Sequence, residues 1–430
     1  MKLLLRKISP ETLFRNVSLE KLILLGWFIT YLLFRIKPSL LTGLRMIFFT
    51  DIPTIEPIGY DLYQLLSYVN SWIIQGGSPY IGNNLYPPLT LWVFSPFAYL
   101  PYQLAYLILT LLTIFCFIGT IAIFPVMAFP KKYWLLLILI LVTSLNSYGF
   151  LFELERGQFN IIAIFLCFIA IWIFHNYPNK RIFAYVIFII CVQFKIFPFI
   201  FIVFFVDNWL EWRTNITRFV ILSFFTLATT VIFGIKVFTE FINALYKQIE
   251  SPFLWEGNHS IRAFSIQLAQ DLSQYFGGSF NNFSKILQLS LISLVGICLL
   301  VLLFFMVREN KKGVNPPLLL GCTLAALVIP SVSHDYTLPI IAGPIVLYFI
   351  WLENELFRRD HTNKILLSIF TLILSLAYFS LNYSYTNKPL LLQNNLPVLI
   401  LMLITTTAIA YLDHKSSISK NNNSLTGKTT

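Results

Sequence analysis

Six short stretches of the chain hold most of the side chains whose types could do chemistry. They are Asp61, Tyr86-Pro87-Pro88, Glu153 to Gln158, Lys195, Gly257 to Arg262, and Ser333-His334-Asp335-Tyr336. A carboxylate such as Asp61 can take a proton from an attacking hydroxyl within hydrogen-bond reach. It can equally cap a helix running from Leu62 to Ile74. Asp51 is the fallback base. Lys195, His259, Arg262 and His334 bring positive charge or donors that suit a phosphate, and a helix N-terminus at the start of the amphipathic segment Ser260 to Leu272 would add to that. The plainer readings are a snorkelling interfacial lysine for Lys195 and a solvated loop for His259 and Arg262. Glu153-x-Glu155 mimics a metal motif, but the adjacent Arg156 argues for an internal ion pair. His334-Asp335 is a poor metal couple, because adjacent residues in one loop rarely point at one ion. No metal and no cofactor are expected. There is no Walker loop, no GxGxxG, no HExxH and no CxxC.

The elements that must position these residues are apolar helices. Of 430 residues 57% are hydrophobic and only 11% charged. Soluble domains carry about 25% charge, so a water-facing surface cannot be built from this chain. A span needs about 20 apolar residues, which bounds the count at about a dozen. The apolar runs are continuous, not alternating, which excludes a β-barrel. Cys116, Cys167, Cys191, Cys298 and Cys322 lie scattered inside apolar runs and read as small core hydrophobes.

The sequence predicts an all-α polytopic membrane protein with about twelve crossings. They run near Leu22–Ile36, then once within Pro88–Phe124, then Tyr133–Phe150, Gln158–Phe174, Ile182–Phe194, Ile196–Val206 and Ile216–Gly234. The last five are Ile286–Val307, Pro316–Pro330, Leu338–Leu352, Ile365–Leu381 and Pro397–Leu412. The first is read as a retained anchor. Phe194-Lys195-Ile196-Phe197-Pro198 breaks one run and predicts an apex at one membrane face. One integral domain, 1–412, carries two long outer loops, 39–87 and 235–284. The stretch 413–430 is read as a polar, disordered cytoplasmic tail.

Charge then sets orientation. With the N-terminus inside, Lys2, Arg6, Lys7 and Arg15, Lys131-Lys132, Lys180-Arg181, Arg213, Arg218, Arg308 with Lys311-Lys312, Arg358-Arg359 with Lys364, and the tail lysines all fall on the cytoplasmic side. That placement absorbs the whole formal excess of +11. No nucleic-acid partner is needed to explain it. All six polar stretches then fall outside.

Their order prompts a family. Tyr60-Asp61-Leu62-Tyr63, Gly76-Gly77-Ser78-Pro79-Tyr80, Tyr86-Pro87-Pro88-Leu89, Ser95-Pro96 and Leu100-Pro101 together resemble glycosyltransferase family 87. So do Arg156-Gly157-Gln158-Phe159-Asn160, Phe194 to Pro198, and Gly257-Asn258-His259-Ser260-Ile261. The resemblance runs from about residue 60 to about residue 340. It implies the C-type integral-membrane glycosyltransferase fold and an enzyme of a bacterial inner membrane, with both termini cytoplasmic. The implied donor is a polyprenyl-phosphate hexose, such as mannose, and the implied acceptor a lipid-linked or cell-envelope glycan. The resemblance places the catalytic base at Asp61. Read from their chemistry, Lys195, His259, Arg262 and His334 are the expected donor-phosphate residues, His334 alternatively orienting the acceptor. Tyr86, Gln158, Asn160, Asn258 and Tyr336 become sugar or acceptor partners. Read from the residues alone, Gln158 and Asn160 serve equally well as helix–helix glue. Tyr86, Trp255 and Tyr336 serve equally as interfacial belt residues. The competing class is a flippase or other secondary transporter, which predicts ionisable groups deep in several spans. The deep apolar runs contain almost none.

Overall fold

A chain this poor in charge must satisfy its backbone internally, and helices do that within one segment. The computed structural model describes residues 18–42, 52, 54–80, 82, 84–128, 133–278, 280–309, 313–357, 364–383 and 390–426. Asp51, the N-terminal basic cluster, the pairs at 131–132, 311–312 and 358–359, and His361 lie outside the described residues. Among the described residues there is no strand, only one isolated antiparallel bridge between Asn258 and His334.

The helices follow in chain order. α1 is Leu19–Thr42. α2 is Tyr60–Val69 and continues as a π turn, Asn70–Ile74. α3 is Pro88–Val93, α4 Tyr102–Ala128, α5 Trp134–Leu145, α6 Tyr148–Arg156, α7 Asn160–Asn176, and α8 Arg181–Phe194. A 3-10 segment, Phe197–Phe204, precedes α9 (Trp212–Val231), α10 (Ile235–Glu250), α11 (Ile261–Phe276), α12 (Asn281–Glu309) and α13 (Pro316–Val328). A second 3-10 segment, Asp335–Ile341, leads into α14 (Ala342–Trp351). Then come α15 (Lys364–Ser380), the single turn α16 (Leu390–Gln393) and α17 (Leu396–Thr426).

The core sits around α7, α13 and α14. Every residue from Pro317 to Val328 and from Ala342 to Ile350 is buried. The peripheral helices are as apolar but face outward. Leu107, Leu111 and Phe115 on α4, Val220 and Phe224 on α9, and Ile286, Leu289 and Leu300 on α12 are exposed. Apolar surface of this extent belongs against lipid.

Among the described residues, five helices are long and apolar enough to cross a membrane, or six if one bent pair counts as a span. Three further apolar helices, α7, α13 and α15, are shorter. The differences from the predicted spans have local causes. The run Tyr133–Phe150 is broken by a 51° bend between α5 and α6. There the Ser147 hydroxyl ties the two helices, donating to the Ser144 carbonyl at 2.7 Å and capping α6 by accepting from the Phe150 amide at 3.3 Å. The run Ile196–Val206 is the 3-10 segment, begun by Pro198 in its first turn. Past Leu412 the backbone stays helical to Thr426, where a disordered tail was expected. Extending an anchored helix needs no new nucleus.

The Lys195 apex takes the expected form. α8 ends at Phe194, Lys195 is extended, and the 3-10 segment carries the chain back. Arg181, where α8 begins, pairs with Asp207, just beyond the return. The out-and-back unit therefore closes on itself, with Lys195 at its tip. The 14 residues of α8 reach about 21 Å at about 1.5 Å per residue.

Candidate active site

Asp61 lies in the first turn of α2. The cap position belongs to Gly59, which makes no side-chain cap bond, so Asp61 does not serve as an N-cap. Its carboxylate instead accepts a hydrogen bond from Gln158 Nε2 at 2.5 Å. Two glycines bring these residues together. Gly157 ends α6 in the left-handed region, at φ 65°. A Cβ there would stand 3.0 Å from Leu62 Cβ and 3.1 Å from Gly59 Cα, and the bare backbones nest. The Gly59 amide donates to the Glu155 carbonyl at 2.7 Å. Glu155 Oε1 also accepts from the Ile55 amide at 3.0 Å.

Gln158 is 3% exposed and spends both ends of its carboxamide here. Its Oε1 accepts from Lys195 Nζ at 2.8 Å. The ammonium stands 4.7 Å from the ring centres of both Tyr86 and Phe159. Such cation–π contacts contribute about 2 kcal/mol when desolvated. Tyr86 is held by its own loop: its amide donates to Asn84 Oδ1 at 3.0 Å and its carbonyl accepts from Tyr80 OH at 2.9 Å. Burial raises the Asp61 carboxyl above the usual carboxylate range, opposed by the Gln158 bond and by the charges of Arg156 and Lys195. Burial lowers the Lys195 ammonium to about 8, opposed by Asp61 and Glu153. The result is a carboxylate made more basic and a cation made less firmly charged, with one carboxamide between them.

Beside this centre lies an aromatic wall. Phe152 meets Trp255 at 5.9 Å and Tyr336 at 5.5 Å, both edge to face, and the Arg156 guanidinium covers the same ring at 5.2 Å. His334 is flanked by Phe253, Trp255 and Tyr336 at 5.3 to 5.8 Å. Tyr336 is within electrostatic reach of Asp61, Tyr86 and Arg156. The wall therefore adjoins the carboxylate. Burial drives the His334 imidazole down to about 3, with His259, Arg156 and Lys195 adding to the push. His334 is thus neutral at physiological pH. In that form it carries hydrogen-bonding capacity and no charge. Its Nδ1 is buried without a partner.

A third group is wholly internal. The segments around Asn258 and His334 zip together: the His259 amide donates to Ser333 O at 2.9 Å and the Asp335 amide to Gly257 O at 3.0 Å. His259 is 0% exposed. Its Nδ1 pairs with Asp335 Oδ1 at 3.1 Å and its Nε2 with Ser333 Oγ at 3.0 Å. Asn258 is equally buried, donating to Phe253 O and accepting from the Ser260 and Ser333 amides. Both residues were expected on phosphate or sugar. In the structure their polar atoms are engaged within this group.

The remaining expected residues divide. Arg262 follows the Ser260 cap of α11, and its Nε is buried without a partner. Asn160 is buried at the start of α7 with its Nδ2 unpartnered. The expected Arg156 ion pair is present, Nε to Glu155 Oε2 at 3.4 Å. Two features went beyond the expected residues. Arg156 also reaches Asp61 and His334 electrostatically. Asn394 and Asn395, just before α17, clamp the zipped loops: Asn394 Nδ2 donates to Glu256 O and Asn258 O, and Asn395 Nδ2 donates to Asp335 Oδ1. The paired asparagines ahead of Leu396-Pro397 were the available signal. Among the described residues no three His, Cys, Asp or Glu side chains gather where they could hold a metal.

The family model described as glycosyltransferase family 87 matches residues 84–332. The match contains Tyr86, Gln158, Lys195, His259 and Arg262; His334 stands just past its end, and Asp61 lies well before its start. No curated protein matches the chain.

Proposed function

Since the chain belongs to glycosyltransferase family 87, we propose that it moves a hexose from a polyprenyl-phosphate carrier to a lipid-linked or cell-envelope glycan. Mannose is the hexose the resemblance favours. Asp61 takes the proton of the acceptor hydroxyl as that oxygen attacks the anomeric carbon. The bond from that carbon to the phosphate oxygen breaks, the carrier phosphate leaves with the electron pair, and the anomeric centre inverts. A phosphate leaving group needs stabilised charge, which Lys195 supplies, with Arg156 beside it. The aromatic wall of Trp255 and Tyr336 offers a sugar ring its faces. In this reading the fold is the C-type one, with twelve crossings and the site on the extracytoplasmic face of a bacterial inner membrane.

One observation carries the reading. A single carboxamide holds the base and the cation, donating to Asp61 at 2.5 Å and accepting from Lys195 at 2.8 Å. A direct ion pair would engage each charge with the other. The bridge keeps both near one place, each with capacity left for a substrate.

The test is a membrane assay with labelled polyprenyl-phosphate mannose and polyprenyl-phosphate glucose. Wild-type protein should transfer label to an extractable glycan, and Asp61→Asn of equal abundance and thermal stability should not. Absence of transfer from every donor by wild type, or transfer that survives Asp61→Asn, overturns the proposal.

A further inference from the structure

α10 is the least covered helix near the site and has a three-way pattern. Ile235, Ile242, Tyr246 and Ile249 recur at spacings of 7, 4 and 3, which lines one helical face. They are 70%, 42%, 62% and 47% exposed. Lys236, Glu240, Asn243, Lys247 and Glu250 recur at 4, 3, 4 and 3 and form a polar face about a quarter-turn away. On the far side of the apolar row lies Phe241, the buried residue of this helix.

A helix packed on protein along one line needs only one apolar face. α10 has a second one, and what covers it can be read from its surroundings. α9, immediately before it, is a candidate span with only 17% of its apolar window buried. Ile232 at the end of α9 and Ile235 at the start of α10 are about equally exposed, at 72% and 70%. Between them Gly234 turns the chain at φ 102°. The exposed apolar residues of α9 are thus followed by exposed apolar residues on α10 and, beyond it, by Phe253, while a row of charges appears on one side only. A surface that is apolar toward a span and charged on the adjacent face fits the boundary of a bilayer.

We infer that α10 lies in the plane of the membrane surface beside the site, with Ile235, Ile242, Tyr246 and Ile249 resting on the acyl chains of one leaflet and the Lys236–Glu250 row in the headgroup water. The helix is tied to the site. Ser78 Oγ donates to Glu240 Oε2 at 2.6 Å, Tyr80 packs on Phe241 at 5.7 Å, and Tyr80 OH donates to the Tyr86 carbonyl. Tyr86 lies under the Lys195 ammonium. The inference concerns position and holds whether or not the proposed transfer reaction is correct.

The test uses the full chain in phospholipid nanodiscs, with single cysteines at positions 242, 243, 246, 247 and 249 carrying a nitroxide. The five native cysteines are buried, so labelling selects the introduced thiol. Collision with oxygen should dominate at Ile242, Tyr246 and Ile249, and collision with a water-soluble nickel chelate at Asn243 and Lys247. The ratio should follow a period of 3.6 residues. Nickel access at all five positions overturns the inference, and so does loss of access to both relaxants along the apolar row, which would mean a protein partner covers it. In the unaltered protein, a photoactivatable phospholipid in the same discs should label the apolar row. Labelling absent from residues 235–254 also overturns it.

Discussion

The Asp61–Gln158–Lys195 centre and the His259–Asp335 centre are built from the same kinds of side chain and behave oppositely. Each joins a carboxylate to a nitrogen base within a few ångströms. In the second, both ring nitrogens of His259 are engaged, Asp335 accepts from His259 and Asn395, and the group is buried. In the first, Asp61, Lys195 and Tyr86 are only part-buried, and base and cation reach each other through Gln158. A polar cluster whose bonds are all internal fixes loops, because every donor and acceptor is already used. One that keeps charge at its opening has something left for a ligand. The six polar stretches thus hold one cluster that is closed on itself and one that keeps charge at its edge.

The sharpest way to break this comparison is to remove each centre's carboxylate or base. Asp61→Asn should lower transfer by about 10²–10⁴-fold, as loss of a general base does, with an unchanged melting temperature. A parallel fall in stability would move Asp61 to the structural side. Lys195→Met keeps the length of the side chain and removes its charge. It should reduce transfer by about 10²-fold, the scale for one missing donor to a developing anion. Measured at saturating donor, the loss should remain in kcat. His259→Ala should act in the other direction. It leaves Asp335 and Ser333 short of a buried partner, at about 1–3 kcal/mol, which a thermal melt in detergent would report. The specific activity of the protein that stays folded should be little changed.

The smallest effect is in pH. The Asp61 carboxyl is raised, so its base form is lost as pH falls through a value above the ordinary 3.8. Lys195 is lowered to about 8, so its charge is lost as pH rises through that region. The kcat/KM profile should be bell-shaped with an alkaline limb near 8. In Lys195→Arg, whose guanidinium stays charged, the alkaline limb should move upward. A limb that stays in place assigns it to another group.

Much of the fold was legible because the apolar runs are long and the few polar residues cluster. The helical class, the break at Lys195 and the convergence of distant motifs follow from that pattern. Breaks inside apolar runs were less visible. Nothing in the hydropathy of Tyr133–Phe150 marks the bend, where one serine hydroxyl bonds the end of the first helix and caps the second. The site was legible by residue type and opaque in role. Asp61, Lys195, Gln158 and Tyr86 stand together as their types suggested. His259 and Asn258 were indistinguishable from ligand residues until their hydrogen bonds were traced, since the same imidazole and amide serve either purpose. Only the fold brings Asn395 to Asp335, across 60 residues of chain.

The seam between Gly157 and Gly59 has a mechanical consequence. Backbone lies against backbone there, with only Leu62 Cβ alongside, and the carboxylate and the carboxamide emerge within two residues of it on either side. The spacing between Asp61 and Gln158 is therefore gauged by peptide units, the stiffest parts a polypeptide has. Adjustment to cargo of different shape falls to the movable rings and the lysine stem opposite, while the gauge stays constant.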